Sequence, residues 1–196
     1  VGGEAPAEPI VFMKAASALS GPYDDVLLPP GSTQTDWEVE LAVVVGRAAR
    51  HVTRERALEH VAGYALFNDY SERSFQRERS GQWTKGKSAD SFAPIGPYLV
   101  TDGVEPGAVE LWLGVNGVER QRASTEQMIF DVPSLVAYVS EFMTLLPGDV
   151  IATGTPEGVG SGAKPPVFLR PGDVVEFGAS GLGAARQRVR AWSQAG

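Results

Sequence analysis

The sequence predicts an α+β fold in which strands predominate. Short apolar runs bounded by Gly, Pro and Asn recur along the chain, which is typical of many short strands. Two or three stretches show helical spacing, and they do not alternate with the strands as a βαβ series would. We therefore expect an antiparallel or mixed sheet, built as a single domain over residues 1–196.

The first half of the chain leads to one long apolar strand that carries acidic residues. This strand follows two turns rich in Pro and Gly and ends at Gly46. Thr53 is a suitable N-cap for the helix that follows, and Gly63 would end it. The elements predicted here are strands at 10–13, 26–28 and 37–46, a helix from Thr53 to about Ala62, a strand at 64–67 and a polar helix at 71–79.

The second half contains the clearest helix. Asp131 is a suitable N-cap, Pro133 lies in the first turn, and apolar residues recur at helical spacing as far as Met143. Asn116-Gly117 predicts a tight hairpin turn. The strands predicted around this helix are 98–101, 109–115, 150–153 and 174–177.

The composition excludes several classes of protein. A chain that is 43% hydrophobic and 21% charged can form a globular core. Its net charge of -7 argues against a nucleic-acid-binding surface, which needs clustered Lys and Arg. The longest purely apolar run, at 41–45, is too short to span a membrane. With no cysteine, disulfides and thiolate metal sites are excluded, and we expect a cytoplasmic protein.

Glu38 and Glu40 are the first candidates for a functional site. They are two residues apart in the predicted strand, so alternation places both on one face. At roughly 3.3 Å of rise per residue, their side chains leave the backbone about 6.6 Å apart. Two anions this close to an apolar run are costly unless positive charge lies between them. A divalent cation would supply that charge, and the solvated face of a half-exposed strand is the alternative.

Asp69 is a candidate third ligand, because it follows the apolar run at 64–67 and strand ends often present functional side chains. Three carboxylates without cysteine form an all-oxygen site, which suits Mg²⁺, Mn²⁺ or Ca²⁺ better than Zn²⁺ or copper. The alternative for Asp69 is a helix cap for the segment that starts near Ser71.

Arg73 and Gln76 follow Asp69 at i+4 and i+7, so all three share one face if this stretch is helical. Arg73 would then balance an acidic metal site or bind the carboxylate of an anionic substrate. An ordinary surface ion pair between Asp69 and Arg73 is the alternative.

Two loops complete the candidate site. The loop at 82–97 holds Lys85 and Lys87 between aromatic, Gly and Pro residues, and such a lysine could direct its charge at a carbonyl or enolate oxygen, or simply be solvated. The Gly-rich loop at 153–160 lacks the Gly-Lys-Ser/Thr of a P-loop. It could still offer N–H groups and hydroxyls to a carboxylate. His51 and His60 are expected to be structural or surface residues.

Taken together, these stretches resemble the fumarylacetoacetate hydrolase family in an order that covers nearly the whole chain. The matching stretches are Phe12-Met13-Lys14, Gly21-Pro22, Asp36-Trp37-Glu38-Val39-Glu40-Leu41, Asn68-Asp69 with Ser71, Arg73 and Gln76, Lys85-Gly86-Lys87-Ser88 with Phe92, Pro94 and Gly96-Pro97, Pro147-Gly148-Asp149, and Thr153-Gly154-Thr155-Pro156 with Gly158-Val159-Gly160.

The resemblance implies a mixed β-roll fold, a homodimer, and Mg²⁺ or Mn²⁺ held by Glu38, Glu40 and Asp69. It implies hydrolysis of a C–C bond in a 2,4-dioxo acid, such as an acylpyruvate or a diketo-deoxy sugar acid, through a pyruvate enolate that the cation stabilises. Decarboxylation, hydration or isomerisation of 2-oxo acids on the same site is the alternative. The residues implied for catalysis are Lys87 and Arg73, and those for substrate binding are Gln76, Lys87, Gly154 and Thr155.

Hydrolysis also requires a base that activates water. The resemblance implies a His–Glu pair for this role, in a segment that precedes residues 4–9. Because the chain begins at Val1 rather than Met, we expect that the domain lacks its N-terminal segment.

Overall fold

The computed structural model describes residues 6–193. Residues 1–5, and with them part of the Gly/Pro-rich opening, lie outside the described residues. The described part of the chain forms twelve strands and three α-helices, so the α+β prediction with strands in the majority is confirmed. None of the helices in this part has the length and apolarity needed to cross a bilayer.

The strands are β1 Leu19–Ser20, β2 Val26–Leu28, β3 Thr35–Asp36, β4 Val39–Val45, β5 Val61–Asn68, β6 Ser71–Glu72, β7 Ala93–Pro94, β8 Glu110–Val115, β9 Val118–Ser124, β10 Val150–Ala152, β11 Val174–Ala179 and β12 Gly183–Ala191. The α-helices are α1 Arg73–Glu78, α2 Thr84–Lys87 and α3 Val132–Phe142, and 3-10 helices lie at Ala16–Ala18, Arg54–His60, Thr125–Gln127 and Gly160–Gly162.

Two sheets enclose the core. The larger sheet has the order β2-β12-β11-β8-β9 and is mixed, because β2 runs parallel to β12 while the other pairs are antiparallel. The smaller sheet, β10-β4-β5, is antiparallel. β4 contacts β8 and β11, and its apolar side chains join theirs in one buried cluster. Two short pairs, β1-β7 and β3-β6, lie outside these sheets.

The amphipathic helix forms as predicted. Asp131 is the N-cap of α3, and its carboxylate accepts a hydrogen bond from the Ser134 N–H (3.0 Å). Val132, Leu135, Val136 and Val139 are buried, as the apolar spacing indicated. The stripe does not continue to Met143 as predicted, because Phe142 is exposed and Met143 is the exposed C-cap in an extended conformation. The predicted hairpin is also present, because Val115 pairs with Val118 across Asn116-Gly117.

Several local predictions are wrong. No strand forms at 10–13, where Ile10 and Met13 point into solvent. The helix expected from Thr53 to Ala62 is a 3-10 helix without a side-chain cap. Gly63 does not end it but lies inside β5, where a Cβ would come within 2.4 Å of the Val100 carbonyl oxygen, so glycine permits this close approach. The segment 98–101 makes a single bridge, Tyr64 to Val100, rather than a strand.

The helix predicted at 71–79 begins two residues later than expected. Ser71 and Glu72 form β6, which pairs with β3, and α1 starts only at Arg73. Asp69 therefore lies outside the helix. This is why the helical i, i+4, i+7 spacing from Asp69 does not describe the site.

Candidate metal centre

β4 and β5 bring the three carboxylates together. The two strands are antiparallel with Val39 opposite Asn68, and the Asp69 N–H donates to the Glu38 carbonyl (2.8 Å). Glu38 and Glu40 share a face of the β4 segment, and Asp69 follows the end of β5. One carboxylate oxygen from each residue lies within 4.8 Å of the others.

All three carboxylates are removed from water. Glu38 is 8% exposed, Glu40 2% and Asp69 1%, which rules out the solvated strand face. Burial of ionised carboxylates is costly unless cations or hydrogen-bond donors compensate it. The composition of the surrounding shell therefore decides what the cluster can bind.

Three cationic side chains reach this cluster. Lys87, at the end of α2, lies 2.6 Å from a Glu38 oxygen and 2.5 Å from an Asp69 oxygen. Lys14 lies 2.5 Å from the second Asp69 oxygen and also donates to the Tyr70 carbonyl (3.2 Å). Lys87 is only 1% exposed, so the interpretation of its loop as solvated does not apply to this residue.

Arg73 is held in place by three acceptors. Its Nε donates to Asp36 (2.9 Å), Nη2 lies 2.6 Å from Glu38, and Nη1 donates to the Gln76 side-chain oxygen (3.2 Å). Asp36 is fully buried and also accepts backbone N–H bonds from the loop at 160–161. Arg73 thus pairs with Asp36 and Glu38 instead of Asp69, and its guanidinium fixes one oxygen of Glu38.

Glu40 is the least compensated of the three. It accepts a backbone hydrogen bond from Gly154 (2.8 Å), the one hydrogen bond to its side chain from the described residues. Burial, together with the nearby charges of Asp69 and Glu38, raises the pKa of the Glu40 carboxyl well above its ordinary value. The site therefore has more negative charge than its protein cations neutralise at this residue.

The two lysines respond differently to their surroundings. Burial opposes the charge of Lys87, but the carboxylates of Glu38 and Asp69 outweigh it and raise the pKa of Lys87. For Lys14 burial dominates over the attraction of Asp69, and the pKa is lowered. The surrounding carboxylates thus favour the charged form of Lys87 at the centre.

The donor set fits a hard divalent cation. Counting Asp36 with Glu38, Glu40 and Asp69, four carboxylates face the three cations Lys14, Arg73 and Lys87 in the described part of the chain. Carboxylate oxygens are the ligands that Mg²⁺, Mn²⁺ and Ca²⁺ prefer. An ion among three such oxygens would supply the positive charge that Glu40 lacks.

The Gly-rich loop follows β10 and runs beside the acidic strand. Gly154 adopts a positive φ of 97° while its N–H donates to Glu40. The Thr155 hydroxyl donates to the Val39 carbonyl (3.0 Å) and lies 2.8 Å from the donor nitrogen of Gln121. The Thr155 side chain, predicted to bind substrate, is thus hydrogen-bonded within the protein.

Sequence reasoning missed Lys14, Asp36 and Gln121. Asp36 precedes Glu38 by two residues, so the alternation that selected the two glutamates could have included it. Lys14 lies in a stretch that matches the family but was given no role, and periodicity indicates neither Lys14 nor Gln121, because their partners lie far away in the sequence. Among the other predicted residues, Lys85 is exposed and donates to the Arg79 carbonyl, away from the carboxylates.

The two histidines lie outside the cluster, as expected. His51 is exposed, and His60 contacts the carbonyl oxygens of Arg47 and Ala48 through its ring nitrogen. Neither contributes to the acidic group in the part of the chain that the structure describes.

Comparisons with known proteins agree on one family. Residues 2–190 match the model described as fumarylacetoacetate (FAA) hydrolase C-terminal. The chain is 52% identical to 2,4-didehydro-3-deoxy-L-rhamnonate hydrolase from Sphingomonas sp. (strain SKA58), over 97% of this chain and 68% of that protein.

Two solved structures show the same fold. The fumarylacetoacetate hydrolase of Exiguobacterium antarcticum has a TM-score of 0.91 at 44% identity and covers 95% of this chain and 68% of that one. A probable 2-hydroxyhepta-2,4-diene-1,7-dioate isomerase of Mycobacterium abscessus has a TM-score of 0.90 at 39% identity, with 94% and 71% covered. The fold that the resemblance implied is thereby confirmed.

Proposed function

The chain belongs to the fumarylacetoacetate hydrolase family, and from this premise we propose that it is a metal-dependent hydrolase that cleaves a C–C bond in 2,4-dioxo acids. The observation that carries the proposal is the group of three buried carboxylates within 4.8 Å of one another. An exposed acidic patch would not need a cation, whereas a buried one does.

We propose that Glu38, Glu40 and Asp69 hold Mg²⁺ or Mn²⁺. Such an ion, when bound, supplies Lewis-acid stabilisation of the negative charge that develops on an enolate. The Gly154 N–H orients Glu40, and Arg73 orients Glu38, so two of the ligands have fixed positions. Hydrogen bonds from neighbouring residues to metal ligands maintain the geometry of a metal site.

Lys87, Arg73 and the side-chain amide of Gln76 surround the three proposed ligands, and we assign them roles in binding the substrate and stabilising its charge. Lys87 adds a fixed positive charge where an oxyanion would form, because its ammonium lies between Glu38 and Asp69. Arg73 has guanidinium N–H groups beyond the three that are bonded, and with Gln76 it would bind the substrate carboxylate. Gly154 and Thr155 would line the same substrate site from the loop.

The chemistry of the substrate follows from the proposed reaction. A 2,4-didehydro-3-deoxy acid, the substrate in the name of the Sphingomonas relative, has carbonyl groups at C2 and C4. Water adds at C4, the C3–C4 bond breaks, and the electron pair leaves with the C1–C3 fragment, which becomes pyruvate after protonation at C3. The rest of the molecule is released as a carboxylic acid.

The proposal is tested with Glu40→Gln, which keeps the size of the side chain but removes its charge. With Mn²⁺ present, wild-type protein should release pyruvate from acetylpyruvate and from the diketo-deoxy acid. Loss of a metal ligand should reduce that rate at least about 10²-fold. This is the largest loss usually seen when a residue that only hydrogen-bonds to a metal ligand is mutated. Glu119→Gln, a surface control whose one ion-pair partner among residues 6–193 is Arg122, should retain the wild-type rate. Equal rates in Glu40→Gln and Glu119→Gln would refute the proposal.

Isomerisation is the second candidate, because the Mycobacterium abscessus structure and one from Mycobacterium marinum are named as 2-hydroxyhepta-2,4-diene-1,7-dioate isomerases. An isomerase shifts a double bond and leaves the carbon skeleton intact. Mass spectrometry of the products separates the two activities: hydrolysis yields two smaller acids, and isomerisation yields one acid of unchanged mass.

We also propose a homodimer. Apolar side chains are exposed near the start of the described chain, including Ile10 (61% exposed) and Met13 (65% exposed). Apolar patches on a surface often mark protein–protein contacts. Light scattering on the purified protein should give twice the mass of one chain, and a monomer at all concentrations would contradict this proposal.

A further inference from the structure

The Gly-rich loop continues alongside β4 after the strand pairing has ended. β10 pairs with β4 as far as Ala152 opposite Ala42, and the Thr153 N–H still donates to the Leu41 carbonyl (3.1 Å). Two residues further on, the contact to the Val39 carbonyl comes from the Thr155 hydroxyl instead of a backbone N–H. The loop has therefore moved away from strand spacing at this position.

A side-chain amide occupies the gap that this departure leaves. The Gln121 side-chain oxygen accepts the Val39 N–H (3.0 Å), and its nitrogen donates to the Thr155 hydroxyl (2.8 Å) and the Pro156 carbonyl (3.0 Å). A primary amide offers an acceptor and donors as a peptide group does. One glutamine thus replaces a missing strand residue between β4 and the loop.

The register of the larger sheet places Gln121 there. β9 pairs with β8 as Val115 to Val118 and Gly114 to Glu119, and then shifts to Leu113 opposite Gln121. Arg120 is the extra residue of this bulge. Two residues paired across neighbouring strands point to the same side of the sheet. Without the bulge Arg120 would pair with Leu113, and the Gln121 side chain would lie on the opposite side of the sheet. Because of the bulge, the Gln121 side chain points inward and is only 1% exposed.

We infer that Gln121 is a positioning residue of the centre: it sets the distance between β4 and the Gly-rich loop at which the Gly154 N–H reaches Glu40. The inference rests on the proposed function, since it assigns Gln121 a role in holding a ligand of the cation. Gln121 touches none of the three carboxylates and acts through Val39, Thr155 and the loop.

The experiment compares Gln121→Leu with Gln187→Leu. Gln187 is the matched control, because it too is 1% exposed and fully hydrogen-bonded, to Tyr70, Gly21 and Asp24 instead of the loop. Both variants should lower the melting temperature. Only Gln121→Leu should weaken Mn²⁺ binding. We expect a loss of about tenfold in affinity, which is typical when a contact that orients a metal ligand is removed. Titration calorimetry measures the affinity. The affinity of Gln187→Leu should stay within about twofold of wild type.

Gln121→Glu is the second variant, and it decides the matter if Gln121→Leu does not fold. It keeps an acceptor for the Val39 N–H and removes the donor to Thr155 and Pro156. Exchange of the Gly154 amide with deuterated solvent, followed by NMR, should be about tenfold faster in this variant, since the bond to Glu40 opens more often.

The outcomes separate this inference from the proposed function. A folded Gln121 variant with wild-type Mn²⁺ affinity overturns the inference and leaves the proposed function intact. If wild-type protein itself does not bind Mn²⁺, the proposed metal site is wrong. The role of Gln121 is then judged on Gly154 exchange, and an unchanged exchange rate in Gln121→Glu overturns it.

Discussion

The buried carboxylate of Glu72, in β6, and the three buried carboxylates of the candidate metal centre are stabilised in two different ways. Glu72 is fully buried, and its donors among the described residues are uncharged: the hydroxyls of Ser32 (2.6 Å), Thr35 (2.8 Å) and Ser74 (2.5 Å), with backbone N–H groups of Gln34 and Ser74. Glu38, Glu40 and Asp69 are also buried, but they lie together; Glu38 and Asp69 are paired with cations, and Glu40 accepts only the Gly154 N–H among the described residues.

The same burial has opposite consequences in the two regions. For Glu72 burial favours the neutral acid, but the hydrogen bonds from Ser32, Ser74 and Thr35 outweigh it and lower the pKa. For Glu40 burial and two neighbouring anions act together, and the pKa is raised. Neutral donors can thus stabilise one isolated carboxylate. A group of three needs additional positive charge, which is why the second region is a candidate metal centre and the first is structural.

The largest effect should come from Lys87→Met, which removes the cation shared by Glu38 and Asp69. We expect a loss of about 10²–10³-fold in kcat, as for a missing oxyanion donor. Without metal, the free energy of unfolding should fall by up to about 3–5 kcal/mol, because two buried carboxylates lose the cation that they share and keep only Arg73 and Lys14 among the described residues. Pyruvate release and urea denaturation measure the two effects.

Lys85→Met is the matched control for this prediction, since Lys85 lies in the same short helix but is exposed. It should change stability by less than about 0.5 kcal/mol. If the two lysine variants behave alike, the charge at the centre does not depend on Lys87 and the contrast with Glu72 fails.

Glu72→Gln should have a smaller effect and a different one. The NH₂ group of the new Gln side chain would face the hydroxyl and N–H donors that now bind the Glu72 carboxylate. This loss of hydrogen bonds should lower the free energy of unfolding by about 1–3 kcal/mol. Mn²⁺ affinity should remain at the wild-type value, because Glu72 has no contact with the three carboxylates in the described structure. Glu78→Gln, on the exposed side of α1, is the control and should be nearly neutral. A loss of metal affinity in Glu72→Gln alone would show that the two regions are coupled.

The effect of Glu72 should also depend on pH. Its pKa is lower in the folded than in the unfolded protein, so the native state binds the proton less readily. The stability that Glu72 contributes is therefore complete above the unfolded pKa of about 4.3 and is lost as the pH falls through the folded pKa. The difference in unfolding free energy between wild type and Glu72→Gln should be largest near neutral pH and shrink in acid. A difference that grows on acidification would contradict the lowered pKa.

The two regions were not equally predictable from the sequence. Alternation placed Glu38 and Glu40 on one face, and the end of an apolar run identified Asp69, because these signals are local. The hydrogen-bonded site of Glu72 was hidden, since a helix was predicted where β6 forms. Lys14 and Gln121 could not be found either, because they meet Asp69 and Val39 across 55 and 82 residues, respectively. Periodicity does not register contacts of that range.

The N-cap Asp131 completes the comparison, because it is a carboxylate that is neither buried nor clustered. It accepts the Ser134 N–H at the start of α3 and pairs with Arg54 on the surface, where an ion pair contributes little. Asp131→Ala should therefore cost only about 1 kcal/mol of unfolding free energy, the usual value of a cap. Asp131→Asn, which retains the capping oxygen, should cost only a few tenths. Urea denaturation of both variants measures this. An Asn variant as unstable as Ala would mean that the charge of Asp131, not its hydrogen bond, stabilises the helix.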